Sequence, residues 1–260
     1  MDFEQTFDSF TTYAMNCDFD FDVDYYNTHK KRLCELYKMI PIAKENKFAI
    51  EIGATGFFQP LLKIYYGYQR VMGTIWSFNI EEKIYKKTYN FLNKVDNEII
   101  SVDLERELFP LESNCVDFIL CSEVIEHLDI DPMFMLSEFN RIMKRGGKIL
   151  LTSPNSCSAR NFYKIAHGFR PHFFMQYIKT RSPNRHNIEY DIRALRILLE
   201  SAGFQITSYL TKDVFESPSC EGITLLKKMA LPLRDRGDCI FIIANKVSDV
   251  RDRWPGEIYA

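Results

Sequence analysis

The segment Ser122–Leu128, SEVIEHL, places two carboxylates and an imidazole close together at Glu123, Glu126 and His127. Spaced i, i+3 and i+4, all three project from one face if the segment is helical. Carboxylate oxygens with an imidazole nitrogen form a donor set suited to Mg²⁺ or Mn²⁺. A cation held there acidifies an acceptor hydroxyl and aims its oxygen. His186, in the RHNIEY stretch, completes a metal set of Glu123, Glu126, His127 and His186. Without a cation, His127 and His186 are the natural bases, since an imidazole titrates near neutrality, with Glu126 beside them as a third catalytic candidate. A plainer reading leaves the glutamates structural and His127 an orienting group.

A second chemical feature is Glu51-Ile52-Gly53-Ala54-Thr55-Gly56, which follows the apolar run Phe48–Ile52. Glycines let the backbone turn sharply and let a ligand lie against the main chain. At the carboxyl end of a buried strand this is where an open α/β sheet binds ligands. Taken alone, a tight strand-to-helix turn with no ligand would look the same. A dinucleotide site would want GxGxxG with a third glycine, which is absent here.

These residues need a scaffold, and the hydrophobic pattern supplies one. Tyr26–Ile40 reads as a helix, whereas residues 1–25 show acidic and aromatic composition without a clear period. Strands are expected at Phe48–Ile52, Arg70–Trp76, Glu98–Val102, Val116–Cys121, Lys148–Thr152, Phe204–Tyr209 and Cys239–Asn245. Helices are expected at Phe57–Tyr68, Ile80–Leu92, Pro132–Met143 (stopped by Gly146-Gly147) and Asp191–Ala202. Short apolar strands alternating with helices predict an α/β, Rossmann-like, doubly wound sheet of seven mostly parallel strands with helices on both faces. The predicted division is an N-terminal helical segment on the acceptor side (1–44), a main domain (45–246) and a tail (247–260). Two stretches near 154–188 and 211–237 break the rhythm as insertions that could line a binding surface.

Four further blocks accompany the glycine turn in fixed order: FPLESNCVDF (109–118), SEVIEHL (122–128), RIMKRGGKILLTSPN (141–155) and RHNIEYDIRALRILLESAGF (185–204). Over roughly residues 45–210 this series resembles class I S-adenosylmethionine-dependent methyltransferases, and most of all the bacterial branch acting on sugars and other small hydroxylated acceptors. The resemblance implies an O-methyltransferase using S-adenosylmethionine. It implies Glu51, Gly53, Ala54 and Gly56 around the methionine part of the cofactor, Asp103 and Leu104 at the adenine, and Cys121 and Ser122 at the sulfonium. The family's ribose-gripping carboxylate is missing from the second strand, VMGTIWSFN, where Ser77 or Asn79 is the available substitute. The Glu-Glu-His-His set also resembles metal-dependent relatives, including ribose methyltransferases of small-RNA 3′ ends. A non-catalytic, cofactor-binding version of the fold is the remaining alternative.

Composition narrows the partners. The chain of 260 residues is 46% hydrophobic and 26% charged, with net charge −2, which fits a globular domain and makes nucleic acid an unlikely partner. A small-molecule acceptor, phosphorylated or nucleotide-linked, is expected, because Arg160, Tyr163, Lys164, His167, Arg170 and His172 form a basic, aromatic cluster in the first insertion, with Lys179, Arg181 and Arg185 close behind. Surface polysaccharide synthesis is a natural setting for such an acceptor. The acidic start MDFEQTFDSF lacks the pattern of a secretory leader, no apolar run reaches membrane-spanning length, and the seven cysteines show no metal spacing. Membrane insertion is therefore not expected, and the expected setting is the cytoplasm.

Overall fold

The computed structural model describes residues 2–17, 21–76, 83–92, 94–171 and 185–259. Its strands are β1 (Phe48–Ile52), β2 (Arg70–Ile75), β3 (Ile84–Tyr89), β4 (Val95–Ser101), β5 (Val116–Ser122), β6 (Met143–Pro154), β7 (Phe204–Lys212) and β8 (Cys239–Lys246). The helices are α1 (Phe3–Met15), α2 (Val23–Met39), α3 (Phe58–Ile64), α4 (Pro132–Ile142), α5 (Ala159–Ala166), α6 (Ile192–Ser201) and α7 (Cys220–Lys228). All strands lie in one sheet of order β3-β4-β2-β1-β5-β6-β8-β7. The run from β4 to β6 is parallel, while β3 pairs antiparallel with β4, and β8 antiparallel with both β6 and β7.

This topology places the glycine turn. From β1 the chain winds outward through β2 and β4, then returns to lay β5 against the other side of β1. The carboxyl ends of β1 and β5 therefore border a switch point, the crevice where open α/β sheets take their ligands. One face of the sheet is covered by α4 and α6, which contribute Leu136, Phe139, Leu195 and Leu198 to the core. The other face carries α1, α2 and α3, through Phe7, Phe10, Leu33, Leu36, Leu61 and Leu62.

Three expectations are corrected. Residues Ile84–Tyr89, expected as part of an Ile80–Leu92 helix, form the edge strand β3, giving eight strands rather than seven. Cross-strand partners decide the matter: Tyr85 faces Ile99, Lys86 faces Glu98, and the Thr88 hydroxyl bonds the Asp96 carboxylate at 2.6 Å. Helix α1 occupies a stretch that seemed to lack a period, burying Phe3, Phe7, Phe10 and Ala14. The Gly146-Gly147 pair does not stop a helix. α4 ends at Ile142 and the chain passes directly into β6.

The two insertions contain α5 and α7, which pack on each other. Asn155 ties them together: its amide donates to the carbonyls of Asp235 and Gly237, and its own backbone oxygen accepts from the Asn161 side chain. The tail closes on α4, where Asp131 caps the helix and also binds Arg253 and the Tyr259 hydroxyl. Among the described residues no helix is long and apolar enough to cross a membrane.

Candidate active site

Gly53 and Gly56 both have positive φ, 67° and 84°, so the turn after β1 uses backbone that only glycine adopts readily. The turn is clamped from β2: Thr74 Oγ1 accepts from the Gly53 N–H at 3.1 Å, and its carbonyl accepts from Ala54 at 2.7 Å. Gly73 beside it lets Gln59 and Ala54 approach, since an added Cβ would lie 1.8 Å from the Gln59 amide and 2.6 Å from Ala54. From above, Phe21 and Tyr89 pack against Gly56, and the Tyr26 hydroxyl of α2 donates to the Thr55 carbonyl. Sequence reasoning missed Thr74, Gly73 and Tyr26, because their positions depend on strand pairing and on the helix crossing over the turn.

Glu51 lies beneath this turn, fully buried. One carboxylate oxygen accepts from the hydroxyl of Thr55 at 3.0 Å, and the other has no partner. Burial pushes its pKa up to about 7. Across the crevice, Cys121 is enclosed in the core, where burial raises its thiol, so Ser122 is the side chain presented at the end of β5. Asp103 and Leu104 follow β4, with Asp103 accepting from the Glu105 N–H at 3.0 Å and Leu104 packed on the core. Ser77 and Asn79 lie outside the described residues, as do His172, Lys179 and Arg181.

The EVIEH segment departs from the expected helix. Only Ile125–His127 forms a single 3₁₀ turn, and Glu123 precedes it at φ 55°. That left-handed residue swings its carboxylate toward β6 and β8, where it accepts from Thr152 at 2.7 Å and from the Cys239 thiol at 3.6 Å. Glu123 is therefore turned away, while Glu126, His127 and His186 converge, with one potential ligand atom from each lying within 4.8 Å of the others. The 185–189 segment holds them in place. Asn187 donates its backbone N–H to the Glu126 carbonyl and its side chain to the His127 carbonyl, each at 2.7 Å.

The electrostatics are those of a buried donor set in which the Arg32 charge only partly offsets the burial of Glu126. Glu126 is fully buried, neither carboxylate oxygen has a hydrogen-bond partner, and burial together with the nearby Glu123 raises its pKa well above the carboxylate range. Burial lowers His127 to about 4. His127 Nδ1 lies 3.0 Å from the Arg185 carbonyl, which can only accept, so Nδ1 carries the proton and Nε2 keeps its lone pair. That Nε2 is 4.0 Å from Glu126, and the His127 and His186 rings meet edge to face at 4.8 Å. An unpartnered carboxylate and two imidazoles, one oriented through a backbone carbonyl, suit a divalent cation with open coordination positions.

The basic, aromatic cluster of the first insertion is only partly brought together. Arg160 pairs with Glu216 and donates to the Ser217 carbonyl, so it links the insertions to each other. Tyr163 and His167 pack ring to ring at 4.1 Å on α5.

A methyltransferase-domain family matches residues 34–209, most of the chain, including the glycine turn and the Glu126–His127–His186 cluster. The chain belongs to that family. It is a class I S-adenosylmethionine-dependent methyltransferase, with S-adenosylmethionine as its methyl donor. Solved structures support the fold. A methyltransferase of Archaeoglobus fulgidus superposes with a TM-score of 0.56 at 22% identity, covering 87% of this chain and 100% of that one. One from Thermotoga maritima gives 0.54 at 19% identity, covering 92% and 99%. No curated protein matches the chain.

Proposed function

We propose that this methyltransferase transfers the methyl group to a hydroxyl oxygen of a sugar, a nucleotide-linked sugar or a phosphorylated small metabolite, with the acceptor oxygen placed at the Glu126–His127–His186 cluster. The buried, unpartnered Glu126 carboxylate beside two imidazoles carries this reading. Such a group is costly to bury unless a ligand or cation completes it. A divalent cation of the Mg²⁺ or Mn²⁺ type would be held by Glu126, His127 and His186, and would supply acidification of the acceptor hydroxyl. His127, its Nδ1 proton held by the Arg185 carbonyl, would offer Nε2 to that cation, and the hydroxyl proton would leave to solvent. The acceptor oxygen then forms the new C–O bond as the methyl–sulfonium bond breaks, leaving S-adenosylhomocysteine and a proton. The sulfonium is already activated, so alignment is most of the catalytic task. Gly53, Gly56 and Glu51 on one side of the crevice and Ser122 on the other are assigned to the cofactor, with Asp103 and Leu104 at its adenine.

A small-RNA 3′-terminal ribose is a second acceptor served by the same cluster. The net charge of −2 argues against it, since phosphate contacts call for a basic surface. The test combines a binding and a turnover measurement. Calorimetry with Mn²⁺ should show binding that weakens at least tenfold in Glu126→Gln, while S-adenosylhomocysteine binding is unchanged. Labelled-methyl turnover should appear with nucleotide sugars or sugar phosphates, and should fall with EDTA. Equal Mn²⁺ affinity in both proteins, or transfer only to a short single-stranded RNA, would overturn the reading.

A further inference from the structure

Arg32, on α2, is a buried cation, only 2% exposed. Its Nη1 donates to Ser122 Oγ at 2.7 Å and its Nη2 to the Tyr25 hydroxyl at 2.9 Å. Its Nε is buried without a hydrogen-bond partner, and the Glu123 carboxylate favours its charge from a distance, without a direct bond to it among the described residues. A buried guanidinium bonded only to two hydroxyls, with a donor to spare, is incomplete. One α-helical turn away His29 adds a second buried nitrogen without a partner, Nδ1, with its ring 4.4 Å from Tyr25. Tyr25, His29 and Arg32 follow the i, i+4, i+7 spacing and so share one face of α2.

The surroundings indicate what would complete them. Ser122, held by Arg32, is the last residue of β5 and stands across the crevice from the glycine turn. Gly53 approaches this corner closely, since an added Cβ there would lie 3.2 Å from Val124. Tyr26, next to Tyr25 on α2, is bonded to Thr55 of the turn. Arg32 thus occupies the corner between β1, β5 and α2, where the amino-acid tail of the methyl donor must end if its sulfur faces the acceptor cluster. Glu51, on the other side of the turn, is the acidic group suited to the tail's ammonium.

We infer that Arg32 is the carboxylate anchor of the cofactor, binding the carboxylate of its methionine tail through Nε and the guanidinium edge, with Ser122 and Tyr25 fixing its plane. Planar, forked geometry and permanent charge make arginine the natural partner for a carboxylate. The inference rests on the assignment of the methyl donor and not on the acceptor, so its failure leaves the O-methylation reading standing.

Two ligands separate a carboxylate anchor from a structural arginine. S-adenosylhomocysteine carries the tail, while 5′-methylthioadenosine has the same nucleoside and sulfur without the carboxylate or ammonium. For Arg32→Gln and Arg32→Lys, calorimetry should show S-adenosylhomocysteine weakened about ten- to a hundredfold, the usual range for a charge-assisted bond. Methylthioadenosine should be unchanged in both variants, which also reports an intact fold. Tyr25→Phe, which removes a support but not the charge, should weaken S-adenosylhomocysteine by a smaller factor. Unchanged affinity for S-adenosylhomocysteine, or an equal loss of both ligands in the milder Arg32→Lys, would overturn the assignment. An acidic group on the acceptor as the true ligand would show itself in the first of these ways.

Discussion

Glu51 makes a sharp claim about pH. In the ligand-free protein burial raises its carboxyl to about 7 from an ordinary value of 4.5. A cationic ammonium placed against it would favour the ionised form, so cofactor binding should be linked to loss of a proton from Glu51. If only ionised Glu51 binds the tail, the competent fraction is about 1% at pH 5 and about 90% at pH 8. The association constant for S-adenosylhomocysteine should then rise about ninetyfold over that interval, at about tenfold per unit below pH 6, and level off above 7. An ordinary carboxyl at 4.5 would give a rise of only about 1.3-fold. Calorimetry in buffers of different ionisation enthalpy checks both the affinities and the proton release, and Glu51→Gln should flatten the profile. A flat profile in the unaltered protein would refute the placement of the ammonium. The same group bears on stability, with the sign that follows from a raised acid. The fold binds a proton that the unfolded chain has already lost between about 4.5 and 7. Its contribution is therefore complete below pH 4.5 and declines by about 3 kcal/mol as pH rises to 7, at about 1.4 kcal/mol per unit. In Glu51→Gln that decline in urea-derived stability should be absent.

Two substitutions test the architecture around the crevice. Gly56→Ala forces a Cβ to within 2.8 Å of Phe21 and 3.0 Å of Tyr89 at φ 84°. It should lower stability in urea by about 1–3 kcal/mol and weaken S-adenosylhomocysteine as well, through left-handed strain and crowding. Phe10→Ala removes a fully buried ring that meets Tyr13, Phe21, Tyr26, Phe57 and Phe91. A loss of about 3–5 kcal/mol is expected in chemical denaturation, and a change below about 1 kcal/mol would mean that α1 is only loosely docked.

Much of this molecule can be read from its sequence where a single rule acts alone. The strands β1, β5 and β8, and the Ile149–Leu151 stretch of β6, are largely apolar runs buried on both faces, as a sheet under two helical layers requires. β3 was misread because Ile84 and Tyr85, then Tyr89, satisfy a helical period as well as a pleated one. Pairing with β4, which no local pattern encodes, made the choice. Helix α1 was legible in principle, since Phe3, Phe7, Phe10 and Ala14 repeat at helical spacing, but the acidic residues between them masked it. In the candidate site, the glycine turn and the Glu126, His127 and His186 set could be located from residue types and order. The orientation of Glu123 could not, because it depends on one residue entering the left-handed region. Arg32 gave no signal at all. It looks like any solvated helical arginine until α2 is laid over the end of β5.

The position of β8 has a consequence for how the enzyme is made. Although it is the last strand in the chain, it lies between β6 and β7 and supplies Cys239 to the Glu123 carboxylate. On a translating ribosome β6 is therefore finished with one edge bare, and stays so while about 90 further residues are added, roughly 5–18 s at ordinary synthesis rates. Until β8 slides in, β7 has no strand to pair with, and the crevice lacks the wall that holds the β5 corner. The catalytic corner is thus a late product of synthesis. During that interval the exposed apolar edge of β6 is the part of the nascent protein most in need of a chaperone.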